Sequence, residues 1–116
     1  MKNTFKVTVL EGDIEGAKWL QLAAMQGSRC VATASVFWFG IEGKAPELCN
    51  LFVEEPARRK GIAYAMIQAA AQRIGGPLCL FVLRESPAYW LYRKAGFIEV
   101  GAHKEKENNV WMILAL

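Results

Sequence analysis

Histidine and cysteine are scarce in this sequence of 116 residues. His103 is the only histidine, and the three cysteines, Cys30, Cys49 and Cys79, are far apart and show no CxxC spacing. Metal sites of the zinc type need clustered Cys and His ligands, so we expect no metal cofactor and a structural or surface place for His103. Each cysteine stands among apolar residues, which predicts three buried, reduced thiols.

Long apolar runs and a strong charge are missing as well. No run reaches the roughly 18 to 20 apolar residues that cross a bilayer, and the first four residues lead into a strand-like stretch instead of a signal-peptide core. We therefore expect a cytoplasmic protein without a membrane partner. The formal net charge of +3 is too small to indicate a nucleic-acid partner.

The composition is that of one compact domain. Hydrophobic residues make up 53% and charged residues 22% of the chain, which predicts a single domain over residues 1–116. Strand-forming residues predict strands over 5–10, 30–39, 47–53, 97–102 and 110–116. The first of these should end at the turn-rich residues 11–13, and Pro56 should stop the sheet after residue 53.

Residues 17–25 allow two interpretations. Asp13 is a suitable N-cap for a helix, whereas the turn at Gln26–Ser28 and the apolar run after it favour a hairpin. We favour the strand.

Two helices are predicted in the second half. Apolar residues recur every three or four positions over 61–74, and Gly75 ends that helix. Ser86 is a suitable N-cap for a helix over 87–95, with Gly96 at its end. Between them, residues 77–83 form a short apolar run, as expected of a buried central strand reached by a crossover connection.

The loop before the first helix is a candidate anion site. Arg58, Arg59 and Lys60 precede Gly61, so positive charge adjoins a helix N-terminus whose backbone N–H groups lack partners. Gly61 permits close approach of a ligand to the backbone. Taken alone, this pattern also fits an ordinary solvated basic loop.

Two longer segments carry a family resemblance. Leu-Phe-Val-Glu-Glu-Pro-Ala-Arg-Arg-Lys-Gly-Ile-Ala (51–63) resembles the first conserved motif of the GNAT N-acetyltransferase superfamily, and Ser-Pro-Ala-Tyr-Trp-Leu-Tyr-Arg-Lys-Ala-Gly-Phe (86–97) resembles the second. The resemblance implies an α+β fold with a mixed sheet splayed between strands 47–53 and 77–83. It also implies helices at about 61–74 and 87–95, with little or no helix before residue 19.

The resemblance implies acetyl-CoA as cosubstrate, bound where the strands separate. The pantetheine arm would follow the backbone of one strand, and the pyrophosphate would meet backbone amides of the basic loop, with Arg58 at the head of that loop. The cofactor-binding residues implied are Leu51, Phe52, Val53, Arg58, Arg59, Lys60, Gly61, Ile62 and Ala63. Arg59 replaces a glycine that is frequent in the family.

The resemblance also implies catalytic residues. Tyr92 stands where the family commonly carries a tyrosine that protonates the departing thiolate. Glu47 is the candidate base for the amine, with Glu54 as the second choice and a water chain as the alternative. Glu85 replaces an asparagine that often contacts the cofactor. A carboxylate at this position repels the phosphates of CoA unless a cation compensates. Ser86, the next residue, would partly take over the cofactor contact of the asparagine.

The short N-terminal half leaves the acceptor open. Most members of the family place two helices between the first strand and the hairpin, but only residues 11–18 are available here. An open acceptor side fits a protein lysine or N-terminus, or a homodimer that completes the wall, and Trp38 and Trp90 are candidates to line it. Small amines, and a CoA-binding or protein-interaction module without turnover, are the alternatives.

Overall fold

The computed structural model describes residues 4–38, 45–102 and 108–115. These residues form one mixed sheet of seven strands in the order β1-β2-β3-β4-β5-β7-β6. The strands are β1 Lys6–Ile14, β2 Ala17–Gln26, β3 Arg29–Trp38, β4 Glu47–Val53, β5 Leu78–Leu83, β6 Ile98–Ala102 and β7 Asn109–Leu114, and the α-helices are α1 Ile62–Ile74 and α2 Pro87–Ala95. The α+β class and both predicted helices are thus confirmed.

The N-terminal part is an antiparallel meander. Strands β1, β2 and β3 follow one another directly, and residues 4–38 contain no helix. The preference for a strand over 17–25 was right. The absence of a helix before residue 19 is likewise confirmed for the described residues.

The predicted end of the first strand was wrong. Glu11, Gly12 and Asp13 continue β1 and pair with β2, and Gly12 lies opposite Trp19. The turn falls instead on Glu15 and Gly16, whose φ angles are +52° and +85°. Gly12 allows the indole of Trp19 to pack against β1, because a Cβ at position 12 would lie 2.2 Å from that ring.

The sheet is split between β4 and β5. These parallel strands share one register pair, Glu47 with Cys79, and the Cys79 amide donates to the Pro46 carbonyl at 2.8 Å. Strand β5 then pairs along its whole length with β7 on its other side. The gap therefore widens toward the carboxyl ends of β4 and β5, which confirms the predicted splay.

The hydrophobic core lies between the sheet and the two helices. Alternate residues of the strands are almost fully buried and pack with the apolar face of α1 and with Phe97, which follows α2. The core includes Leu20, Leu22, Val36, Leu48, Leu80, Met112, Ile62, Met66 and Ile67. Among the described helices, none has the length and apolarity that crossing a membrane requires.

The expectation of three buried cysteines was wrong for Cys30. Cys30 is exposed, and Cys49 and Cys79 are partly buried and form no disulfide. The pairing of β2 with β3 shifts by one residue here, so that Val31 and Ala32 are both buried. This bulge turns the preceding residue, Cys30, toward solvent.

Candidate functional site

A cavity of about 470 Å³ lies between the end of β4 and the first turns of α1 and α2. Its walls are the second half of β4, the turn that follows, the first turn of α1 and the start of α2. Nine residues that the sequence assigned to the site line this cavity: Leu51, Phe52, Val53, Arg58, Arg59, Gly61, Ile62, Ala63 and Tyr92. The chain thus brings together two segments that are about 30 residues apart in sequence.

Five further residues line the cavity and were not predicted from the sequence: Ala57, Tyr64, Pro87, Ala88 and Leu91. Pro87, Ala88 and Leu91 share a helix face with Tyr92, so the helical period of α2 was a signal for them. Tyr64 had no such signal.

Strand β4 carries a bulge just before the cavity. Thr33 pairs with Phe52 and Ser35 pairs with Cys49. One residue of β3 between these pairs therefore lies opposite two residues of β4. Asn50, inside this interval, has a φ of +55°. A bulge of this kind interrupts the ladder and redirects the strand. Because β5 does not pair with β4 beyond Glu47, the next residues of β4 present an open strand edge to the cavity.

The candidate anion site lies at the N-terminus of α1. Gly61 is the N-cap of α1 with a φ of +79°, and no side chain caps the amides of the first turn. A Cβ on Gly61 would have no atom within 4 Å, so the space in front of this turn is open. Uncapped amides and the positive end of the helix dipole favour an anion there.

The side chain of Arg58 contacts the end of β4 across the turn that follows this strand. Its Nε donates to the carbonyl of Val53 at 2.8 Å, and its guanidinium carbon lies 5.9 Å from the centre of the Phe52 ring. Both contacts hold the start of the basic loop against the end of β4. Lys60 is exposed and does not line the cavity.

Tyr92 reaches the cavity from α2. Its side chain is 9% exposed, and its ring meets Phe97 edge-on with centroids 5.7 Å apart. Burial raises the pKa of the phenol above its usual value, and the nearby Cys49 thiol adds to this shift. The phenol is therefore protonated at neutral pH and able to donate a proton.

Glu47 stands at the closed end of the gap and does not line the cavity. It is half-buried at the start of β4, and its Oε2 accepts a hydrogen bond from the Cys49 thiol at 3.5 Å. Cys49 also acts electrostatically on Tyr92. The predicted base and acid are therefore linked through one side chain. Glu54, the second choice, is paired with Arg29 at 2.8 Å.

Polar side chains in the turn between β5 and α2 bind other protein groups. Arg84 is ion-paired with Glu99, and the Tyr89 hydroxyl donates to the other Glu99 oxygen at 2.9 Å. Arg84 thus serves Glu99 and not the exposed Glu85. Ser86 caps α2 by accepting the Ala88 amide at 3.2 Å, and it does not line the cavity.

Metal ligation has no basis in the described residues, which contain no group of three or more His, Cys, Asp or Glu side chains suited to a metal ion.

The structure is similar to solved N-acetyltransferases. The PaiA N-acetyltransferase of Thermoplasma acidophilum, in complex with coenzyme A, matches with a TM-score of 0.73 and 19% identity over 84% of this chain and 61% of that one. The ribosomal-protein-S18-alanine N-acetyltransferase of Escherichia coli matches with a TM-score of 0.67 and 19% identity, over 84% and 68%.

An aminoglycoside 6'-N-acetyltransferase complexed with coenzyme A matches with a TM-score of 0.68 and 17% identity, over 84% of this chain and 72% of that one. At these identities the likeness concerns the fold. The chain spans about three fifths of the Thermoplasma protein.

No curated protein matches this sequence, but a family model does. The model of the acetyltransferase (GNAT) domain matches residues 18–99, which include the β4 edge, the basic loop and α2. The chain therefore belongs to the GNAT family of acetyltransferase domains.

Proposed function

We propose that this chain binds acetyl-CoA in the gap between β4 and β5 and transfers the acetyl group to a primary amine. The observation that carries the proposal is the composition of the cavity. One space is bounded by an open strand edge, by uncapped helix amides and by a buried, protonated tyrosine. The coenzyme A complexes of the structurally similar Thermoplasma and aminoglycoside acetyltransferases support the choice of cosubstrate.

The residues present fit such a cosubstrate. The edge of Leu51–Val53 accepts an extended amide-containing arm in the manner of an added strand. The amides of residues 59–63 receive the pyrophosphate at the N-terminus of α1. The apolar side chains of Ile62 and Leu91 exclude water between these two ends.

The reaction requires one bond to form and one to break. The neutral amine attacks the thioester carbonyl, the C–N bond forms, and the C–S bond breaks as the thiolate leaves. Tyr92 gives its phenolic proton to the departing sulfur, and Glu47, which does not line the cavity, takes through water the proton that the amine releases. A backbone N–H of the Leu51–Val53 edge stabilises the negative charge that develops on the carbonyl oxygen.

A protein lysine or N-terminus is the acceptor we propose. The direct passage from β1 to β2, with no helix in residues 4–38, favours an acceptor too large for an enclosed pocket. The similar Escherichia coli protein is an N-acetyltransferase of an alanine in ribosomal protein S18. A small amine is the second candidate, because another similar structure is an aminoglycoside acetyltransferase.

The test is release of CoA thiol from acetyl-CoA in the presence of protein, peptide, polyamine and aminoglycoside panels. We expect release with at least one amine and a strong loss in Gly61→Trp, whose side chain fills the open space before α1. Acetyl-CoA binding without release on any amine would support a binding module without turnover instead. Unchanged activity in Gly61→Trp contradicts the proposed site.

A further inference from the structure

The sheet has two faces, and the helices α1 and α2 pack on one of them. Leu48 of β4 and Leu80 of β5 are buried in the same core as the apolar residues of both helices. Side chains that follow one another in a strand point to opposite faces. Glu47 and Phe81, each next to one of these leucines, therefore lie on the second face, where neither α1 nor α2 packs.

On this second face, Glu47 has aromatic residues on both sides. Phe37 of β3 is its register partner on one side, and Cys79 of β5 is its partner on the other. Phe81 follows two residues after Cys79 on the same face and pairs with Trp111 of β7. The rings of Phe81 and Trp111 have centroids 4.9 Å apart and planes inclined at 51°. Both residues are half-buried, so part of this aromatic surface is accessible.

A carboxylate beside aromatic rings has the chemistry of a site for an organic cation. An ammonium group is attracted by the negative charge and by the face of an aromatic ring. The methylene groups of a long alkyl chain pack on apolar surface while the charged end stays polar. An amine carried directly on a peptide backbone has no such chain and would make fewer of these contacts.

The position of the cavity leaves the second face to the acceptor. Residues of β4, α1 and α2, among them Tyr92, line the cavity, so it lies on the helix side of the sheet. A cosubstrate that fills this space blocks the approach of an amine from that side. The sheet itself is open beside the cavity, because β4 and β5 share only the register pair of Glu47 with Cys79.

We propose that the acceptor is a primary ammonium at the end of an unbranched alkyl chain, and that it approaches the thioester from the second face of the sheet. Its methylene groups contact Phe81 and Trp111, and the Glu47 carboxylate attracts its charge. This inference rests on the proposed function and narrows its acceptor. A lysine side chain and a free alkyl diamine share this chemistry. Phe81 and Trp111 are the specificity-determining residues in either case.

The first test compares acceptors with the unaltered protein by the rate of CoA release. The acceptors are a peptide with one lysine and a blocked N-terminus, the same peptide with 2,3-diaminopropionate in place of lysine, a lysine-free peptide with a free N-terminus, and 1,5-diaminopentane. We expect kcat/KM for the lysine peptide or the diamine to exceed that of the other two about tenfold or more, because their alkyl chains bury additional methylene groups. The better of the two distinguishes a macromolecular acceptor from a free one, and either result supports the proposal.

The second test changes the aromatic surface. Phe81→Leu keeps an apolar side chain but removes the ring, and we expect KM for the preferred amine to rise about fivefold. The acetyl-CoA Kd and kcat should stay constant, because Phe81 does not line the cavity. Phe81→Tyr keeps the ring and should keep the KM of the unaltered protein. Leu10→Ala is the control, because Leu10 is exposed on the edge strand β1, three strands from β4.

The proposal is overturned if the free N-terminus is the preferred acceptor, or if the diaminopropionate peptide reacts as well as the lysine peptide. It is also overturned if KM is unchanged in Phe81→Leu, or rises equally in Phe81→Tyr or in Leu10→Ala. In each of these cases the protein still acetylates an amine, and the proposed function stands. The acceptor comparison decides the proposal even if Phe81→Leu does not fold. If the unaltered protein acetylates no amine, the proposed function fails and this inference fails with it.

Discussion

Tyr92 meets Phe97 edge-on at a centroid distance of 5.7 Å, and the same residue lines the cavity. Phe97 is 1% exposed and belongs to the core. The ring packing of Tyr92 is therefore a structural contact, and the hydroxyl is the part left for chemistry. Replacing the phenol by a phenyl ring separates these two roles.

Tyr92→Phe should fold normally and lose activity. We expect kcat to fall about 100-fold, the lower range for loss of a general acid, with an acetyl-CoA Kd close to that of the unaltered protein. Because the pKa of Tyr92 is raised, the active, protonated form persists to a higher pH than in an exposed tyrosine, and an alkaline loss of kcat in the unaltered enzyme should be absent in the variant. An unchanged kcat excludes Tyr92 as the acid.

Glu47→Gln tests the predicted base. The change keeps the size of the side chain and its ability to accept from Cys49, but it removes the carboxylate that takes a proton. We expect kcat/KM for the amine to fall at least about tenfold at neutral pH, and to recover as the pH is raised and more of the amine is neutral. Glu54→Gln is the matched control, because Glu54 is occupied by Arg29. Equal activity in both variants favours a water chain as the base.

Local signals in the sequence predict the second half of the fold well. Strand β4 and helix α2 have the predicted bounds, because Pro56 stops the one and Ser86, Pro87 and Gly96 delimit the other. Proline, N-cap residues and C-terminal glycine each affect the backbone at or next to their own position, so their effects can be predicted from the local sequence.

Features that depend on a distant partner were not predictable in this way. Gly12 and its neighbours are residues typical of a turn. They continue strand β1 instead, where Gly12 pairs with Trp19 and leaves room for the indole ring. The bulges at Val31 and Asn50 depend on how β3 pairs with its neighbours. In the site, the motif positions at the end of β4 converge as expected, whereas Lys60, Ser86 and Glu47 lie outside the cavity lining. The functional roles of all the predicted site residues, inside and outside the cavity, stay predictions.

The Glu99 cluster predicts how stability depends on pH. The pKa of Glu99 is lowered by its hydrogen bonds from Arg84 and Tyr89. A carboxyl with a lowered folded-state pKa contributes stability above its unfolded pKa of about 4.3, and that contribution is lost as the pH falls through the folded pKa. Glu99→Gln should therefore lower the melting temperature by a few degrees at pH 7, and this effect should become smaller as the pH falls below about 4.3, measured by circular dichroism.

Glu85→Gln serves as the comparison for that measurement. Glu85 is exposed in the turn between β5 and α2, and we expect its replacement to change the melting temperature little at either pH. If Glu85→Gln and Glu99→Gln have the same effect at pH 7, the interaction of Glu99 with Arg84 and Tyr89 contributes nothing specific to stability.

Gly12→Ala should destabilise the protein through Trp19. The added methyl group would lie 2.2 Å from Cζ2 and 2.4 Å from Cε2 of the indole, and a rigid ring pressed on β1 must move. Forcing such a shift costs about 1–3 kcal/mol, which urea unfolding followed by tryptophan fluorescence will measure. Gly101→Ala is the matched control, because Gly101 is also a strand glycine and a Cβ there has no atom within 4 Å. We expect less than about 1 kcal/mol for Gly101→Ala. Equal losses in the two variants would mean that generic strand effects, and not the indole, account for glycine at position 12.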